Sequence, residues 1–230
     1  PALRALGALI GRLLYTFGRA RRHVALTNLR LCFPELSEAA RAALARRHFI
    51  AFGRAFLDRT LLWWAPRSRL ERLIRLKGAE HLRDAGGRPT ILLAPHFVGL
   101  DAGGTMMTMA VPLVSVYSSQ KNPVFNAVLL AGRLRFNAPI LLSRQEGMRR
   151  ALKALKDGYP FYYLPDMDFG ARDAVFVPFF GVPAATITAL SRVAKITGAA
   201  VVPCVSRQLP GGAGYVLKFY PAWGSFPSED

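Results

Sequence analysis

The stretch Thr90-Ile-Leu-Leu-Ala-Pro-His96-Phe-Val-Gly-Leu-Asp101-Ala-Gly-Gly104 sets an apolar run against a proline and a histidine, then opens a helical pattern on small residues. The run from Thr90 to Pro95 reads as a strand buried on both faces. Pro95 closes it, so His96 stands where the chain leaves the sheet. Asp101 follows five residues later. On one continuous helix that offset is about 140°, and the two side chains would not meet. Across a strand-to-helix turn the carboxylate folds back onto the imidazole, fixes its tautomer and favours its protonated form. The expectation is a base with its orienting acid, facing a substrate hydroxyl where a serine protease has its serine. The other three histidines lack the pattern, since Asn28, Gly53 and Gly86 stand five residues after His23, His48 and His81.

Further along the chain the same alternation repeats. Val111–Tyr117, Ala138–Leu142, Phe161–Leu164, Ala199–Val205 and Tyr215–Tyr220 read as strands, with helical patterns near 101–109, 123–136, 145–157 and 186–197 between them. This order predicts an α/β fold with a mixed, largely parallel central sheet flanked by helices, and chemistry at the carboxyl ends of the strands. The Gly211–Gly214 stretch reads as a flexible loop.

Upstream, residues 1–65 read as a basic helical region and 66–230 as the α/β region, within one structural domain shortened at both ends. Ser37 is a candidate N-cap with Glu38 in the first turn, and Leu44, Phe49, Phe52 and Phe56 recur at helical spacing. The apolar stretch 1–17 is interrupted by Arg4 and Arg12, too short and too charged to span a bilayer but suited to lying in its interface. Trp63 and Trp64 fit the same setting.

Composition narrows the partners. Thirty-one Lys and Arg against 14 Asp and Glu give a net charge of +17, which favours anionic partners. No helix-turn-helix, zinc or RNP-like pattern supports nucleic acid among them. A non-enzymatic basic protein that binds membrane or nucleic acid is the rival from another class. Only Cys32 and Cys204 occur, in apolar settings, so a disulfide framework and a CxxC metal site are both excluded. No GxSxG elbow supplies a serine nucleophile.

His96-Phe-Val-Gly-Leu-Asp101 resembles the HX4D motif of the lysophospholipid acyltransferase superfamily. Gly132-Arg133-Leu-Arg135, Leu142-Ser-Arg144, Tyr163-Leu-Pro-Asp166-Met-Asp168-Phe-Gly170, Val175-Phe-Val-Pro-Phe-Phe-Gly181 and Gly198-Ala-Ala-Val-Val-Pro203 follow in order. With Asn28-Leu-Arg-Leu-Cys-Phe-Pro-Glu35 upstream, these segments are similar to the lipid A late acyltransferase branch of that superfamily. The resemblance implies His96 as general base, Asp101 as its partner, and Arg133 and Asp166 as further catalytic residues. Arg135, Arg144 and Asp168 are the expected substrate contacts. Arg133 is suited to a substrate phosphate or to a developing oxyanion. Asp166 is expected to pair an arginine or shape the pocket. Asp166 and Asp168 alone are a poor magnesium signal, and neither metal nor cofactor is expected. The resemblance also implies an acyl carrier protein thioester as donor and a phosphorylated glucosamine lipid as acceptor, at the cytoplasmic face of the bacterial inner membrane. Acylation of another membrane lipid, such as a phosphatidylinositol mannoside or lysophospholipid, is the nearest alternative. The segment Phe176–Phe180 is a candidate lining for the acyl chain, with core packing the plainer reading.

Overall fold

A computed structural model describes residues 2–83, 86–167, 170 and 174–228. The chain gathers into two compact units, one of Pro1–Arg59 with Asp168–Ile187 and one of Thr60–Met167 with Thr188–Asp230.

The first unit is mostly helical. Helix α1 spans Ala2–Phe17, α2 Arg19–Cys32, and α3 Glu38–Trp64, whose last residues belong to the second unit. Ser37 caps α3 as expected, its Oγ accepting from the Ala40 N–H at 3.2 Å. Helices α1 and α3 cross so closely that only glycine fits. A Cβ at Gly7 would lie 2.7 Å from Arg54 Cα, and one at Gly53 would lie 2.7 Å from the Gly11 nitrogen. The face of α1 turned into the crossing is therefore small, with Gly7, Ala8 and Gly11 buried. Its bulky apolar residues point the other way: Leu6, Leu9, Leu13 and Phe17 are all exposed. Among the described residues no helix is long and apolar enough to cross a membrane.

The second unit holds helix α4 (Arg67–Leu73), strand β1 (Ile74–Lys77), helix α5 (Glu80–Arg83), β2 (Thr90–Leu93), α6 (Leu100–Ala110), β3 (Val114–Tyr117), α7 (Pro123–Arg133), β4 (Ile140–Ser143), α8 (Met148–Lys156) and β5 (Phe161–Tyr163). The hairpin β6 (Ala174–Phe179) and β7 (Val182–Ile187) belongs to the first unit. Then α9 (Ala189–Thr197), β8 (Ala200–Gln208) and β9 (Tyr215–Phe219) complete the second. Its seven-stranded sheet runs β1-β9-β8-β2-β5-β3-β4. The five strands from β8 to β4 are parallel, and β9 runs antiparallel to β8.

Strand alternation assigns each side chain to a layer. Ile91, Phe161 and Val201 face one way, into a core with Ala151 and Leu155 of α8 and Val193 of α9. Their neighbours Leu92, Tyr162 and Val202 face the other way, into a core with Met107 of α6. Both faces are covered by helices, which is why these strands read as continuous apolar runs.

The expected strands are present with trimmed ends. The helical pattern near 186–197 begins only at Ala189, because β7 continues through Ile187. Strand β1 and the β6–β7 hairpin lie outside the runs expected to be strands. The loop expected at Gly211–Gly214 joins β8 to β9 and includes a short 3-10 turn at Pro210–Gly212.

Candidate active site

Strands β2 and β5 lie side by side at the centre of the sheet, with Leu93 opposite Tyr163. His96 and Asp166 each stand three residues beyond that pair. Parallel strands in register deliver equally spaced residues to the same edge, so the two side chains leave the sheet together. One bond past the ladder, Ala94 N–H to the Tyr163 carbonyl at 2.9 Å, keeps the chains adjacent as they leave.

The result is a two-point clamp. Nδ1 of His96 lies 2.6 Å from Asp166 Oδ1, and the His96 backbone N–H donates to Asp166 Oδ2 at 2.6 Å. A carboxylate accepts only, so Nδ1 carries the proton, and in the neutral imidazole Nε2 keeps its lone pair. Both side chains stay accessible, at 41% and 38% exposure.

The turn between β2 and α6 is built by short bonds, Phe97 N–H to the Pro95 carbonyl and Leu100 N–H to the Phe97 carbonyl. Gly99 ends it at φ 117°, a conformation that glycine adopts without strain. Asp101 thereby enters the first turn of α6. Its Oδ1 accepts from Arg133 Nη2 at 3.4 Å, where the side chains are 22% and 36% exposed. Arg133 is the last residue of α7, and Gly132 before it lies flush against the Trp63 indole, where a Cβ would overlap the ring.

The arrangement redistributes the expected roles. The carboxylate at Nδ1 of His96 comes from Asp166, expected to pair an arginine or shape the pocket, and Arg133 pairs with Asp101. Arg144 is exposed in the turn after the edge strand β4, next to a capping box formed by Ser143 and Glu146. Asp168 lies outside the described residues.

Arg135, an expected substrate contact, bonds to the main chain. Its Nη1 and Nη2 donate to the carbonyls of Leu62 and Ala65 at 2.9 and 2.8 Å, satisfying carbonyls at the carboxyl end of α3. Its guanidinium also lies over the Phe136 ring at 4.8 Å. Arg135→Ala is accordingly expected to lower stability by about 2 kcal/mol while leaving KM unchanged. Thermal melts and steady-state kinetics check this; a raised KM with an unchanged melt would return Arg135 to the substrate.

Tyr162 is a contributor that the sequence reading missed. Its side chain is buried beneath α6, and Oη donates to the Leu100 carbonyl at 3.5 Å, in the helical turn that holds Asp101. Burial, reinforced by nearby Cys204, holds the phenol well above its ordinary range, so it remains a neutral donor. A tyrosine inside an apolar strand was the available signal, because a buried Tyr hydroxyl usually finds a partner. Cys204 is buried in β8, and desolvation pushes its thiol up to about 12.

Comparison with known proteins adds an independent finding. The family model described as bacterial lipid A biosynthesis acyltransferase matches residues 1–230. The lipid A biosynthesis lauroyltransferase of Escherichia coli (strain K12) is 36% identical over 233 residues, covering 100% of this chain and 76% of that protein. The palmitoleoyltransferase of the same pathway and organism is 28% identical over 233 residues, with the same coverage. The myristoyltransferase is 33% identical over 206 residues, covering 88% of this chain and 62% of that protein.

Proposed function

Because this chain belongs to the bacterial lipid A biosynthesis acyltransferases, we propose that it moves a fatty acyl chain from an acyl carrier protein thioester to a hydroxyl of a phosphorylated glucosamine lipid. The observation that carries the mechanism is the Asp166 clamp on His96. It leaves Nε2 as a fixed, accessible base, and histidine suits the task because its ordinary pKa of about 6.5 lies near neutral pH.

In the proposed reaction Nε2 takes the proton of the acceptor hydroxyl as the oxygen attacks the thioester carbonyl. Asp166 stabilises the imidazolium that forms. The tetrahedral intermediate collapses with cleavage of the C–S bond, and the imidazolium returns its proton to the departing thiolate. Arg133, steadied by Asp101, supplies positive charge to the oxyanion or to the acceptor's phosphate. Arg144 is the second candidate for that phosphate. A covalent route through Cys204 is disfavoured, since a thiol with a pKa of about 12 is thiolate in roughly one molecule in 10⁵ at neutral pH.

The acceptor is a membrane lipid, so the enzyme must meet a bilayer. The outward apolar stripe of α1 supports a helix lying in a bilayer interface, and the cytoplasmic face of the inner membrane is the setting we propose for it. The arginines around it suit anionic head groups and an acidic carrier protein alike.

The test is incubation with labelled acyl carrier protein thioesters of several lengths and a Kdo-bearing lipid A precursor, followed by mass spectrometry of the lipid. One added acyl chain on the precursor is the expected product. Transfer to lysophospholipids with none to the precursor would overturn the assignment of acceptor.

A further inference from the structure

The hairpin Ala174–Ile187 carries no charged side chain along its length. Successive residues of a strand face opposite sides. Val175, Val177 and Phe179 therefore share one face of β6, Phe176 lies on the other, and Phe180 follows in the turn. All five are exposed, Phe176 by 64% and Phe179 by 59%, which sets aside core packing for this segment. A docked protein surface shields one face of such a strand and leaves the other in water. A hydrocarbon phase covers both at once.

The backbone agrees with the side chains. Pro178 stands opposite Pro183, and neither has an N–H for an inserted strand edge to leave unpaired. The hairpin is also anchored, through the Phe180 ring packed edge-on against Phe33 at 5.1 Å. Phe33 joins α2 to α3 in a unit whose residues 1–59 carry eleven arginines against the three acids Glu35, Glu38 and Asp58. Helix α2 alone contributes Arg19, Arg21, Arg22 and Arg30, and buries none of its residues.

We propose that the β6–β7 hairpin is a membrane-inserting element whose aromatic strand enters the acyl region of an anionic bilayer. The arginines of the same unit contact the lipid phosphates. Together with the outward stripe of α1 it gives two linked attachments, so that losing either weakens binding sharply. The inference concerns lipid binding measured without donor or acceptor, and it stands or falls apart from the assignment of the reaction.

Flotation of the full chain with vesicles of phosphatidylcholine, with and without phosphatidylglycerol, tests it. Phe176→Ser and Phe179→Ser are each expected to reduce partitioning onto the phosphatidylglycerol vesicles about tenfold. Ile196→Ser, which removes an equally exposed apolar residue from α9 of the other unit, is the control and is expected to partition like wild type. A second readout places an environment-sensitive fluorophore at Phe176→Cys in a Cys32→Ser background. Its emission is expected to shift to the blue on anionic vesicles and to resist quenching by aqueous iodide. Wild-type partitioning of both serine variants, or full iodide access to the label on vesicle-bound protein, overturns the proposal. A changed preference for acyl length at unchanged partitioning also overturns it, by assigning the hairpin to an acyl groove.

Discussion

His96→Ala is expected to lower kcat by about 10³-fold or more while the fold and vesicle binding persist. General-base catalysis contributes about 10²–10⁴, and here the base also returns a proton to the leaving thiolate. A 10³-fold loss is about 4 kcal/mol of barrier, more than any contact at a half-exposed surface histidine contributes. Asp166→Asn is the sharper companion. The amide can present its N–H₂ to Nδ1, which reverses the tautomer and takes away the lone pair at Nε2, so a loss approaching that of His96→Ala is expected. The two effects are not expected to add in the double variant, because each disables one unit. Asp101→Asn acts instead through Arg133 and is expected to compound with Asp166→Asn. Wild-type turnover in Asp166→Asn, with a His96-sized loss in Asp101→Asn, would return the orienting role to Asp101.

The distinction between those carboxylates shows where sequence reading ran out. His96 and Asp101 are close in sequence, and their offset is visible in a single line of text. The pairing of His96 with Asp166 spans 70 residues and depends on strand order. After β2 the chain builds β3 and β4 outward, then returns to place β5 between β3 and β2. Periodicity identifies each strand but not its neighbour, so the register that aligns Leu93 with Tyr163 was hidden. Arg133 and Arg135 were likewise inseparable by pattern. They stand two residues apart in one basic segment, and only the carboxyl end of α3 beside Arg135 tells them apart. The elements passed over have local reasons. In β1 only Ile74 is buried, which leaves no alternation to read. In β6, Pro178 interrupts an apolar run, a feature that argues against a strand unless the strand lies at an edge. The parallel strands were legible for the converse reason, since helices on both sides force them to be apolar throughout.

Gly103→Ala carries the second large expected effect, although Gly103 touches neither base nor substrate. Helix α6 rests on β8, and a Cβ at Gly103 would overlap Ser206 Oγ and lie 3.1 Å from Ser206 Cβ and 3.2 Å from Leu217 Cδ1. Ser206 is 2% exposed and paired with Leu217 of β9, so its backbone and Cβ are held in place. The helix must lift instead, taking with it Asp101 two residues earlier and the Leu100 carbonyl held by Tyr162. Overpacking of this kind costs about 3 kcal/mol, equivalent to a fall of about 10 °C in Tm for a chain of this size. Displacing a positioned group by about 1 Å costs roughly 10² in rate, so turnover well below the melt should drop by that factor. Ser206→Ala supplies the test of cause. It removes the overlapping oxygen and leaves a methyl contact that a shift of a few tenths of an ångström relieves. If the clash is the mechanism, Gly103→Ala with Ser206→Ala recovers most of the lost stability and rate together. Simple addition of the two single effects would place the cause outside this contact.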